Sequence, residues 1–128
     1  MLIRQLDDHI GRLLDELERS GRLDDTAIIF TTDHGFFHGE HGIMGKCLLT
    51  EEEYSSVPLY EEVARIPLMI RVPGDHPSAI TRTIGQISFA PTVLGLLGVD
   101  PAPLPYAGRN ALGNLVDEPV IRRNGGWV

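Results

Sequence analysis

Thr26-Ala27-Ile28-Ile29-Phe30-Thr31-Thr32, followed at once by Asp33-His34-Gly35, is the stretch on which the fold turns. The run is apolar and β-branched and too short for a typical helix, so residues 26–32 read as a buried strand. In open α/β sheets the chemistry collects at the carboxyl ends of strands. Asp33 and His34 stand at that end, where a carboxylate beside an imidazole suits a divalent ion. The same pair also fits a plain loop cap next to a surface histidine.

Upstream, Ile3, Leu6, Ile10, Leu13, Leu14 and Leu17 recur at helical spacing among charged residues, which predicts an amphipathic helix over 2–20. Ser20-Gly21 supplies its stop. Downstream, residues 33–62 show no sustained periodicity, and so long an irregular stretch is usually functional or disordered. Residues 66–72 read as a second strand, with pairing expected after Pro67 and a stop at Pro73-Gly74. Residues 88–97 read as a short helix with a Ser88 cap, Pro91 in the first turn and Gly98 at its end. Pro101, Pro103 and Pro105 stiffen the connector beyond it, and residues 106–128 are weakly patterned.

These elements define the expected fold class as α/β, a partial sheet flanked by helices. The expected organisation is one domain over 1–128, with a strand and loop at 26–46 and a later strand and helix at 66–98. The helix at 2–20 should pack on one face of the sheet, with the helix at 88–97 nearby.

The 128 residues carry a formal net charge of -7 with no basic run to balance it, which argues against nucleic acid as a partner. An anionic ester substrate would need local positive charge, such as a metal ion supplies. The single cysteine, Cys47, excludes an internal disulfide. No apolar stretch reaches the length of a membrane span, and Asp7-Asp8 interrupts anything like a signal peptide, so the expected location is the cytoplasm by default.

Within a dozen residues of His34 come Gly39-Glu40-His41-Gly42 and Gly45-Lys46. Glycines let backbone approach a ligand closely, and the lysine is a point charge suited to an oxyanion. With them the chain resembles the sulfatases of the alkaline phosphatase superfamily, in order and along most of its length. The resemblance runs through Asp8–Leu14, Asp25–Gly35, Gly39–Gly42, Gly45-Lys46, Tyr60-Glu61-Glu62, Arg65–Gly74, Ala90–Leu94, Gly98-Val99 and Gly108-Arg109.

The resemblance implies a fragment of a sulfatase domain that acts on sulfate esters. Asp33 and His34 would be ligands of a single divalent metal, calcium in the sulfatases, with manganese the alternative from related phosphonate and phosphodiester hydrolases. Lys46 would contact the sulfate or phosphate oxygens, and His41 would lie near the site and assist the leaving group. His38 reads as structural or exposed, and Tyr60, Glu61 and Arg65 as residues that fix the loop and the next strand.

The chain also departs from the family. The Cys/Ser-x-Pro-x-Arg motif that carries the formylglycine nucleophile does not occur; in Ser56-Val57-Pro58-Leu59-Tyr60 a tyrosine replaces the arginine. Asp7-Asp8 mimics the family's early metal carboxylates but sits inside a helical pattern. The stretch between Lys46 and Tyr60 looks inserted. The expectation is therefore an incomplete site, nearly inactive alone and completed by an N-terminal part that supplies the nucleophile. A phosphonate or phosphodiester hydrolase is the competing reading. So is a non-catalytic metal-binding remnant whose exposed sheet edges favour a homo-oligomer.

Overall fold

An 18-residue helix, α1 (Leu2–Arg19), opens the chain as its periodicity requires. The computed structural model describes residues 2–46, 48–49, 54–55, 59–76, 78–113, 122–123 and 126–127. Cys47, the Glu51–Glu53 run and Ser56–Pro58 lie outside the described residues. The strands are β1 (Ile28–Thr31), β2 (Phe37–His38), β3 (Met44–Gly45), β4 (Leu48–Leu49), β5 (Tyr54–Ser55), β6 (Leu68–Arg71), β7 (Arg122–Arg123) and β8 (Gly126–Trp127). Two further helices, α2 (Glu61–Ala64) and α3 (Phe89–Leu96), complete an α/β set of elements. The strands pair two by two, β1 with β6, β2 with β3, β4 with β5 and β7 with β8, and the last three pairs are antiparallel. Every strand described is therefore an edge strand.

The chain divides into two compact units, Met1–Phe30 with Met69–Ser78, and Thr31–Leu68 with Ala79–Val128. In the first, α1 ends where the sequence places its stop. Gly21 adopts φ 67°, and the N–H groups of Gly21 and Arg22 donate to the carbonyls of Glu18 and Leu17, both at 2.9 Å. This closes the helix by a left-handed residue that glycine takes without strain. Arg71 of β6 then ties the next turn down. Its guanidinium donates to the Leu23 carbonyl at 2.6 Å and the Thr26 carbonyl at 3.1 Å, and lies 3.5 Å from Asp24.

Burial corrects two expectations. No residue of α1 is fully buried: Ile10, Leu14 and Leu17 are half-buried while Leu2 and Ile3 are 80% and 84% exposed, so the predicted apolar stripe is covered only in part. The reason is one of size. A helix of this length runs about 27 Å, whereas two paired strands of four residues span only about 13 Å by 10 Å. Likewise the strand expected to be buried over 26–32 is shorter, Ile28–Thr31, and grades from half-buried Ile28 and Ile29 to exposed Phe30 and Thr31. Among the described residues, no helix is long and apolar enough to cross a membrane.

The second unit has two small centres. One is Phe37, Ile43 and Val63, with Leu59 and Tyr60 packed against them. The other joins α3 to the segment after the proline connector through buried polar groups. The Thr92 hydroxyl, 2% exposed, donates to the Ser88 carbonyl at 2.6 Å and accepts from the Ala111 N–H at 2.8 Å. Ser88, expected as a helix cap, makes no capping bond; its hydroxyl instead accepts the Arg109 N–H at 3.0 Å. Tertiary demand from residues 108–111 has taken the side chain away from the helix end. The helix itself starts at Phe89, after a 3-10 turn at Gln86–Ser88. It closes as α1 does, with Gly98 at φ 72° and Val99 N–H on the Leu94 carbonyl at 2.9 Å.

Thr92→Val should destabilise this unit by about 1–3 kcal/mol, because the isostere leaves a buried N–H without its acceptor. Urea unfolding monitored at Ala111 by NMR would measure it, and an unchanged midpoint would remove the hydroxyl from the account.

Candidate functional site

β1 delivers the chain to Thr32-Asp33-His34-Gly35, and from there the polypeptide is held by side chains and by the backbone of α2. The Gln86 amide donates to the carbonyl of Thr32 at 3.3 Å and to that of Asp33. The Gly35 N–H donates to the Val63 carbonyl at 2.9 Å. This approach demands glycine, since a Cβ at residue 35 would sit 1.8 Å from the Glu62 carbonyl oxygen.

Asp33 points outward, its side chain 83% exposed. Its Oδ1 accepts the His34 N–H at 3.0 Å, with the Thr32 hydroxyl at 3.4 Å, and its Oδ2 lies 3.4 Å from His34 Nε2. Partial desolvation pushes the Asp33 carboxyl up. The adjacent His34 imidazole, the two neighbouring N–H groups and the Thr32 hydroxyl outweigh it, and the pKa falls below the ordinary 3.8. The side chain is therefore a carboxylate at neutral pH.

Nδ1 of His34 has one partner, and Nε2 has a near one in Lys46 besides the more distant Asp33 Oδ2 at 3.4 Å. Nδ1 lies 2.8 Å from the Gly35 carbonyl oxygen, and Nε2 lies 2.8 Å from Lys46 Nζ. A carbonyl can only accept and an ammonium can only donate. The two shorter contacts thus favour the proton on Nδ1 and the lone pair on Nε2, against the weaker pull of Asp33 Oδ2. That is the tautomer of a metal-ligating histidine whose second nitrogen is held by a backbone carbonyl.

Lys46 reaches His34 from the far side of a hairpin. β2 and β3 pair with Phe37 opposite Gly45 and His38 opposite Met44, and Lys46 is the next residue after Gly45. A 3-10 turn at Glu40–Gly42 joins the two strands. The Glu40 carboxylate accepts its own N–H and the His38 N–H, the latter at 2.5 Å, which holds its pKa below the ordinary 4.5. His38 is exposed, as its sequence context suggests.

Sequence-derived candidates thus fall into two groups. Asp33, His34 and Lys46 converge on one point. His41 sits elsewhere on the hairpin, with Nε2 3.3 Å and 3.4 Å from the two Glu62 oxygens and its ring stacked on Tyr60 at 3.7 Å. Glu62 and Gln86 escaped sequence reasoning. Glu62 belongs to the Tyr60-Glu61-Glu62 motif, but nothing local says which glutamate turns toward the hairpin, and Gln86 lies 53 residues from the carbonyl it holds.

A divalent ion fits the donors only in part. An anionic carboxylate and an imidazole lone pair stand together with the correct tautomer, and both are good ligands. Among the described residues, however, no group of three or more His, Cys, Asp or Glu side chains gathers. The pair accounts for two positions of a coordination sphere that takes six or more for calcium.

A strand-end acidic and imidazole pair thus stands beside a lysine on an α/β framework. The sulfatase family model matches residues 1–99. An N-acetylglucosamine-6-O-sulfatase of Bacteroides thetaiotaomicron is 43% identical over 100 residues, 74% of this chain and 16% of that protein. A choline-sulfatase of Rhizobium meliloti is 36% identical over 97 residues, 76% of this chain and 17% of that protein. A multifunctional alkaline phosphatase superfamily protein of Trinickia caryophylli is 36% identical over 114 residues, covering 87% and 20%. The chain belongs to the sulfatase family, in the alkaline phosphatase superfamily. It spans no more than a fifth of the length of these relatives.

Proposed function

We propose that this chain carries the metal-and-lysine part of a sulfatase-type site for hydrolysis of sulfuric esters. Asp33 and His34 hold a divalent cation, calcium in first place and manganese in second, which would polarise the ester oxygens. Lys46 meets the sulfate oxygens and stabilises charge as the ester bond breaks. The observation that carries the reading is the convergence of Asp33 Oδ2 and Lys46 Nζ on His34 Nε2, while the Gly35 carbonyl engages Nδ1. The nucleophile is assigned to a segment outside Met1–Val128, so hydrolysis by this chain alone should be negligible.

Lysine, a point charge without a fork, does not by itself separate sulfate from phosphate. The names of the N-acetylglucosamine-6-O-sulfatase and choline-sulfatase relatives favour sulfate, and a phosphonate or phosphodiester is the alternative substrate. Self-association through edge strands, a consequence of unpaired backbone groups, belongs to the competing reading of a non-catalytic metal-binding remnant.

Calorimetric titration of calcium and manganese into the pure chain tests the proposal. Weak, saturable binding should appear and should vanish in Asp33→Ala. The absence of heat for both ions would overturn it.

A further inference from the structure

We propose that His41 is a positioning residue, which with Tyr60 and Glu62 forms a clasp that holds the β2–β3 hairpin on α2 and so sets the place of Lys46. The proposal rests on the reading of Lys46 as the anion contact. His41 has φ 56° and ψ 18°, and among the described residues it alone other than glycine has a positive φ. Such a backbone persists in a non-glycine residue only where its surroundings over-determine it. Here they do. The imidazole lies parallel to the Tyr60 ring, 3.7 Å away and tilted by 10°, while Phe37 meets both rings edge-on at 6.0 Å. Phe37 is fully buried, and Nε2 faces both oxygens of Glu62. With one ring face covered and Nε2 engaged, His41 is directed at α2.

The link to Lys46 comes from register. Phe37 is the strand residue opposite Gly45, so anchoring Phe37 and the Glu40–Gly42 turn fixes both ends of the segment that leads into Lys46. The same four-residue helix also holds the other half of the site, since Val63 accepts the Gly35 N–H. His34 and Lys46, twelve residues apart, are thus referenced to one platform, with Tyr60 and Glu62 on the lysine side and Val63 on the histidine side.

The test uses the intact chain with two variants, His41→Asn and Glu62→Gln. Asparagine tolerates positive φ but supplies no ring; glutamine keeps the acceptor and loses the charge. The first readout is amide hydrogen exchange at Gly39 and Ile43, whose N–H groups bond to the Ile43 and Glu40 carbonyls, each at 3.0 Å. Exchange should quicken about tenfold in His41→Asn, as expected for a locally loosened turn, and less in Glu62→Gln. The second is the NMR shift of the His34 ring carbons, which Lys46→Met displaces by removing the contact. His41→Asn should move them part of the way to the Lys46→Met position. Unchanged exchange in both variants overturns the clasp. Faster exchange with unmoved His34 signals overturns its hold on Lys46. Neither readout involves sulfate or metal, so a parent chain whose Lys46 signals ignore added sulfate would refute the anion reading alone.

Discussion

Lys46→Met should bind a divalent cation about tenfold more tightly than the parent chain while losing its response to sulfate. The two effects have opposite signs for one physical reason. Lys46 Nζ lies 2.8 Å from the Nε2 lone pair that a metal would need, so ammonium and metal compete for one acceptor. Even after the metal has displaced the ammonium, a like charge stays tethered nearby on an exposed side chain. Removing it relieves the repulsion, which solvent screens but does not abolish. Sulfate shows the reverse, since its local cation is gone. Calorimetry reads the metal and NMR titration reads the anion. A misfolded variant would lose both, so the opposed signs separate electrostatics from damage. Metal affinity that is unchanged or lower would mean that His34 does not offer Nε2 to the ion.

The strand-end motif was legible because its cause is local. Ile28, Ile29 and Phe30 form an apolar, β-branched run that favours a strand over a loop, and Asp33 and His34, directly beyond it, must lie at the strand's end. The helix stops at Gly21 and Gly98 were legible for the same reason, being set by one residue's backbone freedom. What lies against α1 was not legible. Periodicity encodes which side chains share a face but says nothing of the area available to cover them, and in this unit that area is too small. Ser88 shows a second failure. Its position at a helix start favours a cap, yet Arg109, 21 residues away, claims its hydroxyl. In the site, local sequence singled out Asp33, His34 and Lys46, and the resemblance gave them their expected roles. The groups that orient them, the Val63 carbonyl, Gln86 and Glu62, act through long-range contacts with no spacing signature.

Gly35→Ala should be the most damaging single-methyl change in the site, destabilising the second unit by about 2–4 kcal/mol. The added Cβ would lie 1.8 Å from the Glu62 carbonyl oxygen, 2.8 Å from its carbon and 3.0 Å from Val63 Cα. All three are backbone atoms of α2, so no rotamer change gives relief, and either the loop or the helix must move. Moving the loop breaks the Gly35–Val63 hydrogen bond and shifts the Gly35 carbonyl, the acceptor that keeps the proton on His34 Nδ1. Moving the helix disturbs Tyr60 and Glu62 under the hairpin. Both routes separate His34 from Lys46. Gly11→Ala is the matched control, since nothing lies within 4 Å of the Cβ it would add and its glycine sits inside α1. That change should stabilise the helix by about 0.5–1 kcal/mol. Urea unfolding of the pair, with the His34 ring signals followed by NMR, checks the contrast. If Gly35→Ala unfolds at the parent's midpoint with its His34 signals in place, the close packing of this loop on α2 is wrong. The tautomer argument for the metal ligand would then lose its anchor.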